Sequence, residues 1–335
     1  MDSITQAALG AAVGEAVLGR KVGNRAPLWG AICGTIPDLD VLGILFLNNV
    51  AQQAELHRGF SHSILFAIIA APLVGWIISR IYKQGPGWKP WSLLTFWCVV
   101  THPILDAFTT YGTQLFWPLQ DRVAWNTIFV MDPVYTVPLL LTVIILLFFT
   151  RTSESRRRLN KAGLILSSAY LAFTLVNKQV INNTFESALK AQGIEYQDYI
   201  TRPMPFNNLL WSGLVKSDNG FRIGYYSLLD ANENIEFHHF PANHELFGGI
   251  ADHEDVVTLK RLSQGYYTLT AKDELLVFND LRFGLGTGWL QGKPSFVAKY
   301  ILIQNQEGLE VQRDWRGLED ASQILSEIWN RILGK

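Results

Sequence analysis

Three short clusters of acidic and imidazole side chains interrupt apolar segments in the amino-terminal half of the chain. They read PDLD at residues 37–40, HRGFSHS at 57–63 and HPILD at 102–106. Ionisable side chains are expensive to place inside a membrane, so their presence there indicates a function. Our hypothesis is a metal site at one face of a membrane.

The composition favours a membrane protein. Of the 335 residues, 49% are hydrophobic and 17% are charged, whereas a soluble domain carries about 25% charged residues. The net charge of -1 argues against a nucleic-acid partner, because no surplus of cations is available to neutralise phosphates. The length suits about two domains.

Six segments approach the length that a bilayer requires of a helix. The first is weakly apolar and rich in small residues, which suits close packing against other membrane helices. The segments cover residues 4–18, 27–47, 63–81, 91–108, 134–149 and 164–176. We therefore expect an α-helical polytopic membrane domain of about five or six helices within residues 1–180.

The basic residues predict the orientation, since positively charged loops stay in the cytoplasm. They concentrate in residues 20–25, 80–89 and 151–161. The loops 48–61 and 109–132 then lie outside, as does the whole carboxy-terminal half. In this topology all three polar clusters lie near the outer membrane face, which predicts that they form one site.

The carboxy-terminal half has a different character. Alternating or aromatic-rich runs predict strands, and apolar residues recur at helical spacing from Leu318 to Leu333. We expect a soluble, mainly β (α+β) domain over residues 181–335, closed by a carboxy-terminal helix. The predicted strands include residues 221–226, 266–269, 274–278 and 296–303.

The side chains of the three clusters are of the types that bind divalent metals. Carboxylate and imidazole together suit Zn²⁺, Mn²⁺ or Fe²⁺ better than an all-oxygen Ca²⁺ site. His102 and Asp106 are four residues apart, so a helix presents both on one face. The number of candidates allows one or two ions, and a pair of ions suits ester hydrolysis. The candidate ligands are Asp38, Asp40, His57, His62, His102 and Asp106.

Several residues are candidates for roles beyond metal binding. The catalytic candidates are Asp40, His62 and Arg58. One of the carboxylates, or a histidine that does not bind metal, would be the general acid/base. Arg58 is suited either to positioning an anionic group such as phosphate or to pairing at the membrane interface. Hydroxyl side chains within residues 109–113 directly follow Asp106 and suit a supporting role. The histidines of the carboxy-terminal half fit no compact zinc pattern and are interpreted as solvated: His238, His239, His244 and His253.

Together with the amino-terminal MDSITQA, the three clusters resemble the YdjM-type family of bacterial inner-membrane metal-dependent hydrolases. The resemblance covers roughly the first half of the chain. It implies an integral protein of the inner membrane with hydrolase activity. Family members often carry a histidine where Gln6 stands here, so this chain has one potential ligand fewer.

We therefore predict a membrane-bound metal-dependent hydrolase that acts at the outer face on a lipid-linked or phosphoester substrate. The metal is expected to be zinc or manganese, membrane lipid is the expected partner, and the carboxy-terminal domain is expected in the periplasm. Two alternatives stay open. One is a metal-ion transporter, since intramembrane Asp and His also line ion pathways. The other is a non-catalytic membrane scaffold with a structural metal.

Overall fold

The computed structural model describes residues 1–272, 275–285, 296–306, 308–314 and 321–334. The chain forms two compact units. The first, here called the helical unit, comprises Met1–Ile44, Leu56–Val176 and Pro205–Asn207. The second, here called the β unit, comprises Leu45–Glu55, Asn177–Met204 and Asn208–Lys335.

Residues 1–191 form eight α-helices. They are α1 (Ser3–Val22), α2 (Arg25–Thr35), α3 (Asp40–Ile44), α4 (Val50–Leu56), α5 (Ile64–Ile81), α6 (Trp88–Ala107), α7 (Pro133–Leu146) and α8 (Glu154–Ala191). By length and composition, α5 and α8 could each cross a membrane, and the shorter α7 is also apolar. The helical unit buries a core between α5 and α6 that includes Ile78, Trp91 and Leu94.

Polar side chains fix where three of these helices begin. Asp2 accepts hydrogen bonds from the first turn of α1, and Asp132 does the same for α7. The Ser63 hydroxyl accepts from the Phe66 amide at 3.0 Å and caps α5. Such caps satisfy amide groups that have no partner within the helix.

The apolar segment 27–47 is not one continuous helix. α2 ends at Thr35, a 3-10 turn covers Ile36–Leu39, and α3 begins at Asp40. Pro37 lies in that turn and lacks the N–H that a continuing α-helix would use. Asp38 therefore lies in the 3-10 turn, whereas Asp40 is the first residue of α3.

Glycines let α1 and α2 cross with their backbones in contact. Gly10 and Gly14 on α1 face Gly30 and Gly34 on α2. A Cβ atom added at Gly34 would lie 2.9 Å from both the Gln6 carbonyl oxygen and the Gly10 Cα. Small residues permit this close approach of membrane helices. The crossing therefore has no space for larger side chains.

The β unit contains two antiparallel four-stranded sheets, with orders β1-β2-β3-β4 and β5-β6-β7-β8. Its elements are β1 (Asp198–Pro203), β2 (Leu210–Ser217), β3 (Gly220–Ser227), β4 (Phe237–Phe240), α9 (Glu254–Leu262), β5 (Tyr267–Lys272), β6 (Leu275–Leu285), β7 (Phe296–Asn305), β8 (Gly308–Asp314) and α10 (Ala321–Ile332). Leu214, Ile223 and Leu281 belong to its core.

The predicted fold class, a helical domain followed by a mainly β domain, is confirmed. The helices beyond the expected five or six include the short α3 and α4, of 5 and 7 residues. Glu274, the start of one predicted strand, and Leu318, the start of the predicted last helix, lie outside the described residues.

The histidines of the β unit do not gather into a site among the described residues. His238 and His239 are exposed on β4. His253 caps α9 through its ring. Burial lowers the pKa of His244, and its ring stacks on Tyr267 with 4.4 Å between centroids. All four histidines are exposed, in agreement with their interpretation as solvated.

The glycine crossing makes a testable prediction about stability. A Cβ atom at Gly30 would meet the Gly10 carbonyl oxygen and lie 3.0 Å from the Gly14 Cα. Because backbone atoms cannot rotate away, we expect Gly30→Ala to cost about 1–3 kcal/mol of stability. The measurement is the thermal unfolding midpoint in detergent, followed by tryptophan fluorescence.

Gly249→Ala is the matched control, because nothing lies within 4 Å of a Cβ atom added at Gly249. We expect its midpoint to stay near that of the wild type. If Gly30→Ala unfolds at the same temperature as Gly249→Ala, the close crossing of α1 and α2 is wrong.

Candidate metal centre

The three polar clusters of the sequence meet in the helical unit. Asp38 lies in the 3-10 turn after α2, His62 in the turn Phe60–His62 before α5, and His102 in α6. One ligand atom from each of the three lies within 4.8 Å of the others, so the group could hold a metal ion. Among the described residues it is the one group of three or more His, Cys, Asp or Glu arranged in this way.

The distances within this group suit a small divalent ion. The two Nε2 atoms of His62 and His102 lie 3.2 Å apart. Asp38 Oδ1 lies 3.5 Å from the first and 3.4 Å from the second. Asp106 Oδ2 lies 3.5 Å and 3.6 Å from the same two nitrogens. We call these four residues the quartet.

These separations can be compared with known coordination geometry. Four ligands at about 2.0–2.1 Å in a tetrahedron lie about 3.3–3.4 Å from one another. The three separations among Asp38, His62 and His102, which are 3.2, 3.5 and 3.4 Å, bracket this value. Two imidazole nitrogens and two carboxylate oxygens also form a donor set that suits Zn²⁺ or Mn²⁺. The residues present therefore fit a divalent metal.

The main chain selects one tautomer of the neutral His102 ring. His102 Nδ1 lies 2.5 Å from the Gly34 carbonyl oxygen. Because a carbonyl oxygen only accepts, Nδ1 carries the proton, and in the neutral ring Nε2 is the nitrogen that can bind a metal. Metal-binding histidines ordinarily have a supporting partner of this kind.

Asp40 lies on the other side of the His62 ring. Its Oδ2 is 3.5 Å from His62 Nδ1 and accepts the Arg58 amide at 2.8 Å. The Ser61 hydroxyl also lies 3.0 Å from His62 Nδ1. Asp40 Oδ1 is 3.3 Å from His57 Nδ1. The structure therefore places Asp40 and His57 beside the quartet, and direct metal binding by either stays a prediction.

Asp106 is fully buried and faces cationic or amide groups at both oxygens. Oδ1 accepts a hydrogen bond from Gln6 Nε2 at 3.0 Å and also contacts the Met1 ammonium group. Oδ2 lies 3.1 Å from Arg58 Nε and accepts no hydrogen bond from the described residues. Buried charges are tolerated when they are paired in this way.

Arg58 is a buried residue, only 5% exposed. Besides the contact with Asp106, its Nη1 donates to the Thr109 hydroxyl at 3.0 Å. The Thr113 hydroxyl donates to the His62 carbonyl oxygen at 3.0 Å. The hydroxyls that follow Asp106 thus lie around the site, as their position in the sequence indicated.

The side chains of the quartet differ in their exposure to solvent. The side chains of His62, His102 and Asp106 are 0% exposed, whereas that of Asp38 is 21% exposed. His57 is also partly exposed, at 29%. The open side of the site therefore lies at Asp38 and His57.

Sequence reasoning did not find the parts of the site that are backbone groups. No side chain in the sequence marks the Gly34 carbonyl as a partner of His102, and a glycine by itself indicates only close packing. Gln6 was noted as a departure from the family pattern, and its contact with Asp106 shows that this position belongs to the site.

Comparison with known proteins places the chain in a family of membrane proteins. The family model described as YdjM inner membrane protein matches residues 1–181, which include every candidate ligand.

The chain is 33% identical to YfhP of Bacillus subtilis (strain 168) over 141 residues, 40% of this chain and 42% of that protein. It is 33% identical to the inner membrane protein YbcI of Escherichia coli (strain K12) over 122 residues, 36% of this chain and 68% of YbcI. No solved structure matches. The chain belongs to the YdjM family of inner membrane proteins.

Proposed function

We propose that this membrane protein is a metal-dependent hydrolase that acts on a lipid-linked or phosphoester substrate at the outer membrane face. The observation that carries the proposal is the group of Asp38, His62 and His102, whose nitrogen and oxygen atoms lie at separations suited to one divalent ion. Asp38, His62 and His102 would hold this ion, with Asp106 as the fourth ligand.

A bound divalent ion supplies Lewis acidity and makes water a stronger nucleophile at neutral pH. The residues around the quartet orient its histidine rings toward such an ion. The Gly34 carbonyl oxygen faces Nδ1 of His102, and the Asp40 carboxylate faces Nδ1 of His62. The Nε2 atom of each ring would then be the one that binds the ion. Second partners of this kind orient the rings and raise their basicity.

His57 and Asp40 are the pair that we propose for proton transfer. His57 is partly exposed, is not a member of the quartet, and has its Nδ1 directed at the Asp40 carboxylate. A carboxylate that orients a histidine in this way helps it to take up and release a proton. Arg58 contributes positive charge beside Asp106, which suits an anionic substrate group.

The surroundings of Asp38 support a substrate with an apolar part. Leu39, Val41 and Leu42 follow it and are 56%, 46% and 53% exposed. In a membrane, such side chains contact lipid tails. The distribution of basic residues supports the outer face as the location of the site and a position of the β unit outside the cytoplasm.

The first prediction concerns metal content. We expect the purified wild type to contain a divalent metal and His102→Ala to lose it, because the variant removes one of two imidazole donors. His57→Ala is the matched control and should retain the metal. The measurement is inductively coupled plasma mass spectrometry after purification in detergent without chelator. Absence of metal from the wild type, or equal content in His102→Ala, would contradict the ligand set.

A second prediction addresses Asp40. Because its carboxylate supports the His62 ring without belonging to the quartet, we expect Asp40→Asn to weaken metal affinity about 10- to 100-fold. Competition with a chromogenic chelator measures the affinity, and Asp252→Asn, at an exposed position of the β unit, is the control. Complete loss of the metal at saturating concentration would instead make Asp40 a direct ligand.

The third prediction concerns catalysis. We expect hydrolysis of one class among phosphomonoester, phosphodiester and lipid-linked phosphate substrates to vanish with chelator and to return with Zn²⁺ or Mn²⁺. His57→Ala should lower kcat by about 100-fold or more while retaining the metal, because it removes the proton-transfer group. His253→Ala, in the β unit, is the control for activity.

Two other outcomes would replace the hydrolase proposal. Bound metal without hydrolysis of any substrate class indicates a structural metal in a membrane scaffold. Metal-dependent flux in proteoliposomes, lost in Asp38→Asn, indicates a metal-ion transporter.

A further inference from the structure

A second feature of the helical unit is a cavity of about 910 Å³ that contains none of the quartet residues. It is lined by the last turns of α1, the segment between α7 and α8, and the first turns of α8. Its volume lies within the range of about 300–1,000 Å³ that is usual for small-molecule sites. It belongs to the end of the helices that the basic residues mark as cytoplasmic.

The lining of this cavity carries excess positive charge. Its cationic residues are Arg20, Arg151, Arg157, Arg158 and Lys161, against two acids, Glu15 and Glu154. Both acids already have partners. Arg156 binds the two Glu15 oxygens at 2.7 Å and 2.6 Å, and Glu154 pairs with Arg157 and Arg158.

Two of the lining cations remain available to a ligand. Within the described part of the chain, the side chains of Arg20 and Lys161 make no hydrogen bond or ion pair. Both residues are exposed. Positive charge without a protein partner at this face attracts anionic headgroups of the cytoplasmic leaflet.

The wall of the cavity is apolar on the α8 side. Leu164, Ile165 and Ala169 line it, and Ile165 is 55% exposed. A ligand that suits both the basic rim and this wall must itself be amphipathic, with an anionic head and an apolar tail.

Asn160 joins α8 to α1 beside the cavity. The residue lines the cavity and is 4% exposed. Its Nδ2 donates to the Ala12 carbonyl oxygen at 2.9 Å, which fixes the orientation of the amide. Its buried Oδ1 has no hydrogen-bond partner among the described residues. The hydrogen bond to Ala12 holds α8 against α1 and so fixes the shape of the cavity at this position.

We infer that this cavity binds an anionic phospholipid. The phosphate matches the charge of Arg20 and Lys161, and an acyl chain matches the apolar wall. This site is independent of the metal centre and of the hydrolase proposal.

Native mass spectrometry of the full-length protein in detergent tests the inference, with phosphatidylglycerol and phosphatidylcholine added separately. We expect the wild type to retain phosphatidylglycerol in preference to phosphatidylcholine. The double variant Arg20→Gln/Lys161→Gln should bind phosphatidylglycerol about 30-fold more weakly, since each cation near an anionic surface contributes about a fivefold change.

The control Arg80→Gln/Lys83→Gln removes the same two charges at the end of α5, outside the cavity, and should bind as the wild type does. Ala169→Trp fills the apolar wall without changing charge and should also reduce binding. The inference is overturned if the wild type binds both lipids equally, if the control loses as much affinity as the cavity variant, or if Ala169→Trp binds normally.

Discussion

The candidate metal centre depends on the contact between the backbones of α1 and α2. Only glycine at the crossing lets the two helices come this close, and the crossing brings two groups to the site. Gly34 presents its carbonyl oxygen to His102, and Gln6, one turn before Gly10, reaches Asp106. Packing between two helices thus affects the geometry of a site whose candidate ligands all lie on other elements.

Buried polar contacts hold α1 at two points. Near its start, the Gln6 amide and the Met1 ammonium group meet the buried Asp106. In its second half, Glu15 meets Arg156 of α8 through two short hydrogen bonds. Buried ion pairs gain little net stability, but loss of one partner leaves a buried charge that costs several kcal/mol. The position of α1 is therefore strongly constrained.

The sequence predicted which residues meet at the site, but it did not predict the separate role of each residue. The positive-inside rule placed Asp38, His62 and His102 at one membrane face, and they meet in the structure. The difference between Asp38 and Asp40 could not be predicted, because it depends on the 3-10 turn that follows α2. Strand periodicity indicated the β unit, but the number and order of its strands depend on pairings between distant residues. In the sequence, only the basic residues within 151–161 indicated the cavity beside α8.

The hydrogen bond between His102 and Gly34 has a consequence for how this site can change. A supporting side chain can be exchanged by a single mutation, and the proton on the imidazole can then move to the other nitrogen. Here the acceptor is a peptide carbonyl at position 34, where the close crossing of α1 and α2 admits only glycine. Reversing the tautomer would require a shift of α2 itself, so the orientation of this ring depends on the helix arrangement and would be disturbed by a larger side chain at position 34.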